Sequence, residues 1–203
     1  PRIVEDPYEG AVVVDPAKAS SAARGYSPYA GRKYPTRPLF GDTHHHTSNS
    51  GDAFMAGNRL SPEEAYRFAR GEEVVSSTGV PAKLSRPLDF LVISDHAEGL
   101  GLMFQVYEGN PAFMQDPILA GWNKAMKEGG KAAADAANDV VSRQAQGTLP
   151  APVKDPKVVG PIMKSVWQQY TATAEKYNDP GRFTAMIGYE WTSVPGGNNL
   201  HRN

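Results

Sequence analysis

Residues 39–47 read Leu-Phe-Gly-Asp-Thr-His-His-His-Thr, and this stretch decides how the rest of the chain is interpreted. It begins apolar and becomes polar, which predicts a short strand that delivers side chains at its carboxyl end. Strand side chains alternate between the two faces of a sheet. The alternation places Asp42, His44 and His46 on one face. It turns His45 to the other face, so His45 is excluded from the site.

Imidazole is the commonest side-chain ligand of catalytic divalent metals, so we predict that His44 and His46 share a metal ion. The alternatives are an exposed polar loop and a tag remnant, and a tag is not expected in the middle of a chain. Asp52 follows six residues after His46, in a loop that can double back over the strand end. Next to two histidines, Asp52 becomes a candidate third ligand.

A second apolar run, residues 88–93, predicts a buried strand that ends in Ser94-Asp95-His96. His96 is a candidate metal ligand, with an ordinary loop histidine as the alternative. Asp95 is a candidate to accept a hydrogen bond from a ligand histidine and so to orient its ring.

Residues 183–191 predict a third strand, with Glu190 near its carboxyl end. A buried and unpaired carboxylate costs several kcal/mol, so an inward-facing Glu190 requires a cation. The alternative is an edge-strand carboxylate in water. A turn at residues 196–199 then leads to His201, the last candidate ligand.

Helices are predicted between these strands. Residues 61–64 read Ser-Pro-Glu-Glu, with serine at the N-cap, proline at the first helical position and glutamate positioned for a capping box. Ala65, Phe68 and Ala69 form the predicted inner stripe of this helix, and Gly71 ends it.

Residues 72–87 are predicted to be a long loop, and three further helices are predicted over residues 111–127, 131–146 and 156–177. The last of these has apolar residues at steps of three and four, typical of a core-facing helix. Strands alternating with helices indicate βα units, a parallel sheet and an α/β fold with its site at the strand ends.

Composition excludes several classes of function. The 203 residues carry 21 basic and 22 acidic side chains, a formal net charge of −1. Such a balance leaves no excess of positive charge for binding nucleic acid, so no nucleic-acid partner is expected. No apolar run approaches the ~20 residues of a membrane span. The absence of cysteine excludes disulfides, thiolate metal sites and a thiol nucleophile.

Residues 1–38 are rich in Pro, Gly, Ser and Ala, and we predict an extended N-terminal arm. Tyr26, Tyr29 and Tyr34 are expected to pack this arm onto the body, which is predicted to cover residues 39–203.

Three stretches resemble motifs of the PHP (polymerase and histidinol phosphatase) superfamily. Residues 41–47 are similar to its first motif, Asp-x-His-x-His-Thr, and residues 93–96 to its second, a strand ending in Asp-His. Residues 188–190 with the downstream His201 resemble the third. Amidohydrolases also open with His-x-His on a barrel strand, so the combination is more specific than the first motif alone.

A closer likeness is to the DUF3604 family, a PHP-like group, and it covers about residues 37–203. The stretches that carry it are residues 37–42, 65–72, 87–90, 189–193 and 198–203.

The resemblance implies the N-terminal portion of a distorted (β/α)7 barrel with two or three divalent metal ions at its mouth, either Mn, Zn or Fe. The implied metal ligands are His44 with His46, Glu190 with His201, and Asp52 with His96. Glu190 would bridge the first two metals, and Glu190 and Asp95 are the predicted catalytic residues.

The predicted activity is that of a metal-dependent hydrolase, most of all a phosphoesterase that uses a metal-bridging hydroxide. The expected partner is a small phosphate ester, with Arg202, Arg59 and Lys83 as candidate phosphate anchors.

Two alternatives stay open. An amidohydrolase-like enzyme would act on C–N or C–O bonds, but such sites use a lysine ligand at a strand end, and no lysine occupies that place. A non-catalytic envelope binding module would instead use the aromatic residues Tyr107, Trp122 and Trp191.

The length of the chain suggests that it holds only part of a β/α barrel. Without the arm about 165 residues remain (203 − 38), whereas a β/α barrel takes ~250. We therefore expect the N-terminal portion of a longer protein, in which the fourth PHP motif follows. The chain starts without methionine, and we expect a periplasmic or secreted location after removal of a signal peptide.

Overall fold

A computed structural model of the protein describes residues 2–6, 10–14 and 37–203. These residues form a mixed α/β structure. No helix among them is both long enough and apolar enough to cross a bilayer. The chain divides into two units, Pro1–Pro38 and Leu39–Asn203.

In the first unit, strands β1 (Arg2–Asp6) and β2 (Gly10–Val14) pair antiparallel. Residues 1, 7–9 and 15–36 of the predicted arm lie outside the described residues, and these include the three tyrosines expected to pack it, Tyr26, Tyr29 and Tyr34.

The second unit contains seven strands and seven α-helices among its described residues. In chain order these are β3 (Gly41–His45), α1 (Gly51–Met55), α2 (Pro62–Ala69), β4 (Val74–Val75), β5 (Pro81–Ala82), β6 (Phe90–Ile93), α3 (Leu102–Glu108), α4 (Pro111–Met114), α5 (Pro117–Glu128), α6 (Gly130–Gln146), α7 (Pro156–Tyr177), β7 (Thr184–Ile187), β8 (Trp191–Ser193) and β9 (Leu200–Arg202).

The three predicted strands form one parallel sheet in the order β3-β6-β7. Helices cross between consecutive strands, so the predicted βα arrangement is confirmed. The remaining strands of this unit form two hairpins, β4 with β5 and β8 with β9. The described residues form no closed barrel, and the barrel expected from the family resemblance stays a prediction.

Helix α2 begins as its sequence predicts. The Ser61 side chain accepts a hydrogen bond from the Glu64 amide, and the Glu64 carboxylate accepts one from the Ser61 amide, which completes a capping box. Gly71 follows the helix with a φ of 82°. The predicted inner stripe of Ala65, Phe68 and Ala69 is wrong at one position. Tyr66 is buried with the two alanines, whereas Phe68 is only partly buried.

Helices α2 and α7 cover one face of the parallel sheet. Helix α7 runs over Pro156–Tyr177, the predicted range, and continues through Pro161. Between the helices and the sheet lies the first core, which comprises Ala65, Tyr66, Ala69, Leu91, Ile93, Tyr170, Ala174, Tyr177, Phe183 and Ala185. This packing holds the strand ends rigidly in place, because a close-packed core resists displacement.

A second core lies among α1 and α3 to α6. Helix α3 was not predicted, and the helix expected over 111–127 is divided into α4 and α5, since Asp116 caps a new start before Pro117.

Trp122 is 4% exposed in the second core, and its Nε1 donates to Asp139 at 2.9 Å. Trp122 is therefore a packing residue, which contradicts its proposed use on a binding surface. The loop predicted over 72–87 contains the short β4–β5 hairpin.

Candidate metal centre

The carboxyl ends of β6 and β7 continue side by side past the regular sheet. His96 and Glu190 form an isolated parallel bridge there, and the Glu190 amide donates to Asp95 O at 3.0 Å. Gly188 permits the close approach of the two segments, because a Cβ at that position would lie 2.5 Å from Val92 Cγ1. The backbone thus places Glu190 directly beside His96.

Strand β3 reaches the same place by an irregular route. Its pairing with β6 shifts register between Asp42 and His45. The side chains of β3 therefore do not alternate regularly between the two faces of the sheet. Asp42 Oδ1 accepts a hydrogen bond from the His44 amide at 2.9 Å and does not join the candidate metal groups of the described residues. The rings of His44 and His46 lie 5.0 Å apart, whereas His45 belongs to none of those groups.

Glu190 forms the floor of the site, with a residue exposure of 1%. Its Oε1 lies 3.3 Å from His44 Nε2 and 3.0 Å from His201 Nδ1. Its Oε2 lies 2.8 Å from His46 Nε2 and 3.3 Å from His96 Nδ1. One buried carboxylate is therefore surrounded by four imidazole nitrogens.

The six residues predicted as metal ligands are brought together by the structure. They fall into three overlapping groups that could each hold a metal, namely His44-His46-Glu190, His46-Asp52-His96 and His96-Glu190-His201. Ligand atoms within each group lie within 4.8 Å of one another. Because His46, His96 and Glu190 each belong to two groups, the groups form one continuous cluster.

Asp52 extends from helix α1 over the other side of this cluster. Its Oδ1 accepts from Ser50 Oγ at 2.5 Å and from the Ala53 amide at 2.6 Å, and it lies 3.1 Å from His46 Nδ1. Its Oδ2 lies 3.4 Å from His96 Nε2. Burial opposes ionisation, but the hydrogen bonds with His46, His96 and Ser50 hold the pKa of Asp52 well below its usual value.

The two central histidines are attracted to carboxylates on both sides. Burial alone would lower the pKa of His46, but the contacts with Asp52 and the nearby Glu190 raise it above the ordinary value. The hydrogen bond with Asp52 is the largest cause of the raised pKa of His96. Both rings therefore lie in a field that stabilises positive charge, whether a proton or a metal ion supplies it.

Asp95 lies beneath the cluster and does not bond a histidine as expected. Its carboxylate accepts from both the amide and the hydroxyl of Thr47, the hydroxyl at 2.6 Å, because the loop after His46 folds over it. Burial raises the pKa of Asp95 to about 6, although the bonds from Thr47 act in the opposite direction. Asp95 thus anchors the backbone that follows a candidate ligand, and its catalytic role stays a prediction.

The donor set fits a divalent metal. His46 Nε2 and Glu190 Oε2 are buried 2.8 Å apart without hydrogen-bond geometry, and neither has a hydrogen-bond partner in the part of the chain that the structure describes. Leaving both atoms unpaired is costly, and a shared cation removes that cost.

Two polar residues of the site were not predicted as members. Thr192 Oγ1 lies 2.8 Å from His96 Nδ1 and 3.2 Å from His201 Nδ1. The position of Thr192, two residues after Glu190, could have predicted its place in the site, because side chains two residues apart lie on the same face of a strand. Ser50 is fully buried against Asp52, where its sequence context suggests only a loop.

The predicted phosphate anchors lie in different places. Arg59 donates to the carbonyl oxygens of Phe54 and Asn58 and stacks over the Phe54 ring at 3.8 Å, so it serves the end of helix α1. Lys83 is exposed just after β5. Arg202 is exposed in β9 beside His201, which leaves it near the cluster.

Comparison with known proteins gives one match. A family model described as "Protein of unknown function (DUF3604)" matches residues 33–203. No curated protein and no solved structure matched the chain.

Proposed function

The chain belongs to the DUF3604 family, and we propose that it is a metal-dependent hydrolase of phosphate esters. The observation that carries this proposal is the position of Glu190, whose two buried oxygens lie within 3.3 Å of four histidine nitrogens. Such a centre is suited to holding two metals through one bridging carboxylate. The likeness of its motifs to those of the PHP superfamily supports the same reading.

His44, His46 and Glu190 would hold one metal, and Glu190 with His201 would hold another. Asp52 with His96 would hold a third. Imidazole and carboxylate ligands together suit Mn, Zn and Fe. Bound divalent metals lower the pKa of water and neutralise charge on a phosphate, which is the chemistry that phosphoester hydrolysis requires.

Charge balance favours an anionic substrate. The cluster contributes two carboxylates, Asp52 and Glu190, and four imidazoles that are neutral when they bind metal. Two divalent ions add four positive charges and three ions add six, so the loaded site is cationic in either case. A phosphate ester would be attracted by this charge without a basic side chain in the cluster.

The shape of the site supports substrate entry from one side. Glu190 forms a buried floor, whereas the side chains of His44 and Asp52 are each 54% exposed and that of His201 is 38% exposed. The floor excludes water from the bridging carboxylate, which strengthens its attraction to cations. The exposed rim lets a substrate oxygen approach the same ligands.

An amidohydrolase-like activity receives less support. The lysines that such a site would need are directed elsewhere, since Lys154 donates to Gly147 O and Lys157 and Lys164 are exposed on helix α7.

The test combines elemental analysis with an assay on aryl phosphates, using the purified chain. We expect two or three equivalents of Mn, Zn or Fe and hydrolysis that a chelator abolishes. Glu190→Gln is expected to lose at least about 100-fold in metal affinity, because even residues that only orient ligands contribute 10–100-fold.

The matched control is Glu98→Gln, since Glu98 accepts a hydrogen bond from the Thr192 amide beside the cluster and glutamine can still accept it. This variant should keep metal and activity. A wild-type chain that binds none of these metals and shows no chelator-sensitive hydrolysis would refute the proposal.

A further inference from the structure

Ser50 has an unusual position for a serine at the start of a helix. It is the N-cap residue of α1, yet its side chain makes no capping hydrogen bond. An N-cap serine usually contributes about 0.5–2 kcal/mol by capping. Ser50 is fully buried and directs its hydroxyl to the metal cluster instead.

Three hydrogen-bonding contacts meet at the Ser50 hydroxyl. Ser50 Oγ donates to Asp52 Oδ1 at 2.5 Å and accepts from the His96 amide at 3.2 Å. Its third partner is His46 Nδ1, at 3.1 Å. The hydroxyl therefore contacts every member of the group His46-Asp52-His96.

The hydrogen count decides which nitrogen of His46 carries a proton. A hydroxyl has one hydrogen, and an ionised carboxylate only accepts, so the Ser50 proton goes to Asp52. The contact with His46 Nδ1 must then be donated by the ring. The other neighbour of Nδ1 is Asp52 Oδ1, at 3.1 Å, which is also an acceptor.

A neutral His46 with hydrogen on Nδ1 has its lone pair on Nε2. This is the atom that lies buried opposite Glu190 Oε2 at 2.8 Å. The hydrogen bonds at one side of the ring thus leave the other side free to bind a cation.

We propose that Ser50 is a positioning residue of the metal centre, which fixes the tautomer of His46 and holds Asp52 and His96 in register with it. This inference rests on the proposed metal-dependent function. The Ser50 hydroxyl would link the metal held by His46 and Glu190 to the pair Asp52 and His96, because it is bonded to His46, to Asp52 and to the His96 amide.

The first experiment measures the His46 tautomer in the metal-free wild-type chain by ¹⁵N–¹H NMR of the histidine rings, at a pH where His46 is neutral. We expect hydrogen on Nδ1. Hydrogen on Nε2 would overturn the proposal, and this measurement does not depend on any variant folding.

The second experiment compares Ser50→Ala with Ser94→Ala by titration with Mn²⁺ or Zn²⁺ in a calorimeter. Ser94 is equally buried, and its hydroxyl accepts from the His45 amide outside the cluster. We expect Ser50→Ala to weaken metal binding by about 10–100-fold and Ser94→Ala to bind as wild type. Ser50→Thr keeps the hydroxyl and should restore most of the affinity.

Equal metal affinities in Ser50→Ala and Ser94→Ala would overturn the proposal while leaving the metal-dependent function intact. A wild-type chain that binds no metal would instead refute the function. The two failures are therefore distinguishable.

Discussion

Glu190 Oε2 lies 2.8 Å from His46 Nε2, although the strands that precede these residues, β7 and β3, are separated by β6. The two side chains meet because the parallel strands all end at the same edge of the sheet. Glu190 reaches across the end of β6, where His96 contributes the ligand between them. Convergence at one sheet edge is thus the structural basis of the candidate centre.

Adjacent histidines give the sharpest test of this geometry. His46→Gln should lower metal content and weaken binding by more than about 10-fold, since His46 belongs to two of the three groups. His45→Gln changes the neighbouring residue in the same way and should retain the metal, because His45 lies outside all three. Metal content after dialysis measures both. Equal loss in the two variants would show that the cluster is not where the metal binds.

Removal of metal should lower thermal stability. A ligand at 100 times its Kd stabilises the folded state by about 2.7 kcal/mol. For a chain of this size each kcal/mol corresponds to about 2–4 °C, so chelation should lower Tm by about 5–11 °C in a calorimetric scan. Glu190→Gln provides the control and should show little response to chelator. A wild-type Tm that chelation leaves unchanged would contradict the prediction.

Two buried tyrosines beneath the site should respond differently to loss of their hydroxyl. Tyr170 Oη donates to Ile93 O at 2.5 Å and accepts from the Asp95 amide at 3.3 Å. Tyr66 is equally buried, but its hydroxyl has no hydrogen-bond partner within the described ranges.

Tyr170→Phe should therefore destabilise the fold by about 1–3 kcal/mol, whereas Tyr66→Phe should be neutral or slightly stabilising. Urea unfolding measures both. A larger loss in Tyr66→Phe than in Tyr170→Phe would indicate a partner for the Tyr66 hydroxyl.

The capping box of α2 predicts a local contribution to stability. Ser61→Ala removes the acceptor of the Glu64 amide and should cost about 1 kcal/mol in the free energy of unfolding. Ser142→Ala is the control, because Ser142 is exposed within helix α6 and alanine favours a helix interior. If Ser61→Ala is as stable as this control, the cap does not contribute.

Local patterns predicted the three strands of the parallel sheet and the longer helices. The spacing of apolar residues in α7 and the capping residues of α2 act within one or two turns, so both helices were predictable with nearly correct bounds. Helix α3 was missed because it begins after Gly101, which supplies no capping side chain. Its stability comes from packing of Leu102 and Val106 in the second core.

Four candidate ligands, His44, His46, His96 and Glu190, were predictable because each comes at the end of an apolar run, and the ends of parallel strands meet at one edge of a sheet. The alternation rule failed at Asp42, since the register shift in β3 turns its carboxylate to the His44 amide. Asp95 was expected to contact a histidine, and its actual partner is Thr47. Neither outcome can be read from spacing, because both depend on how two separate loops pack together.

The sequence by itself determined the residue types at the site and the three strands whose ends carry His44, His46, His96 and Glu190, since hydrophobic period is a local property. Only the tertiary structure decided which atoms face each other. Nδ1 of His46 is directed to Ser50 and Asp52, and its Nε2 to Glu190, because the loop after β3 folds back over the ends of β6 and β7. Contacts between residues far apart in the chain fix that geometry, and the geometry makes this cluster suited to a metal.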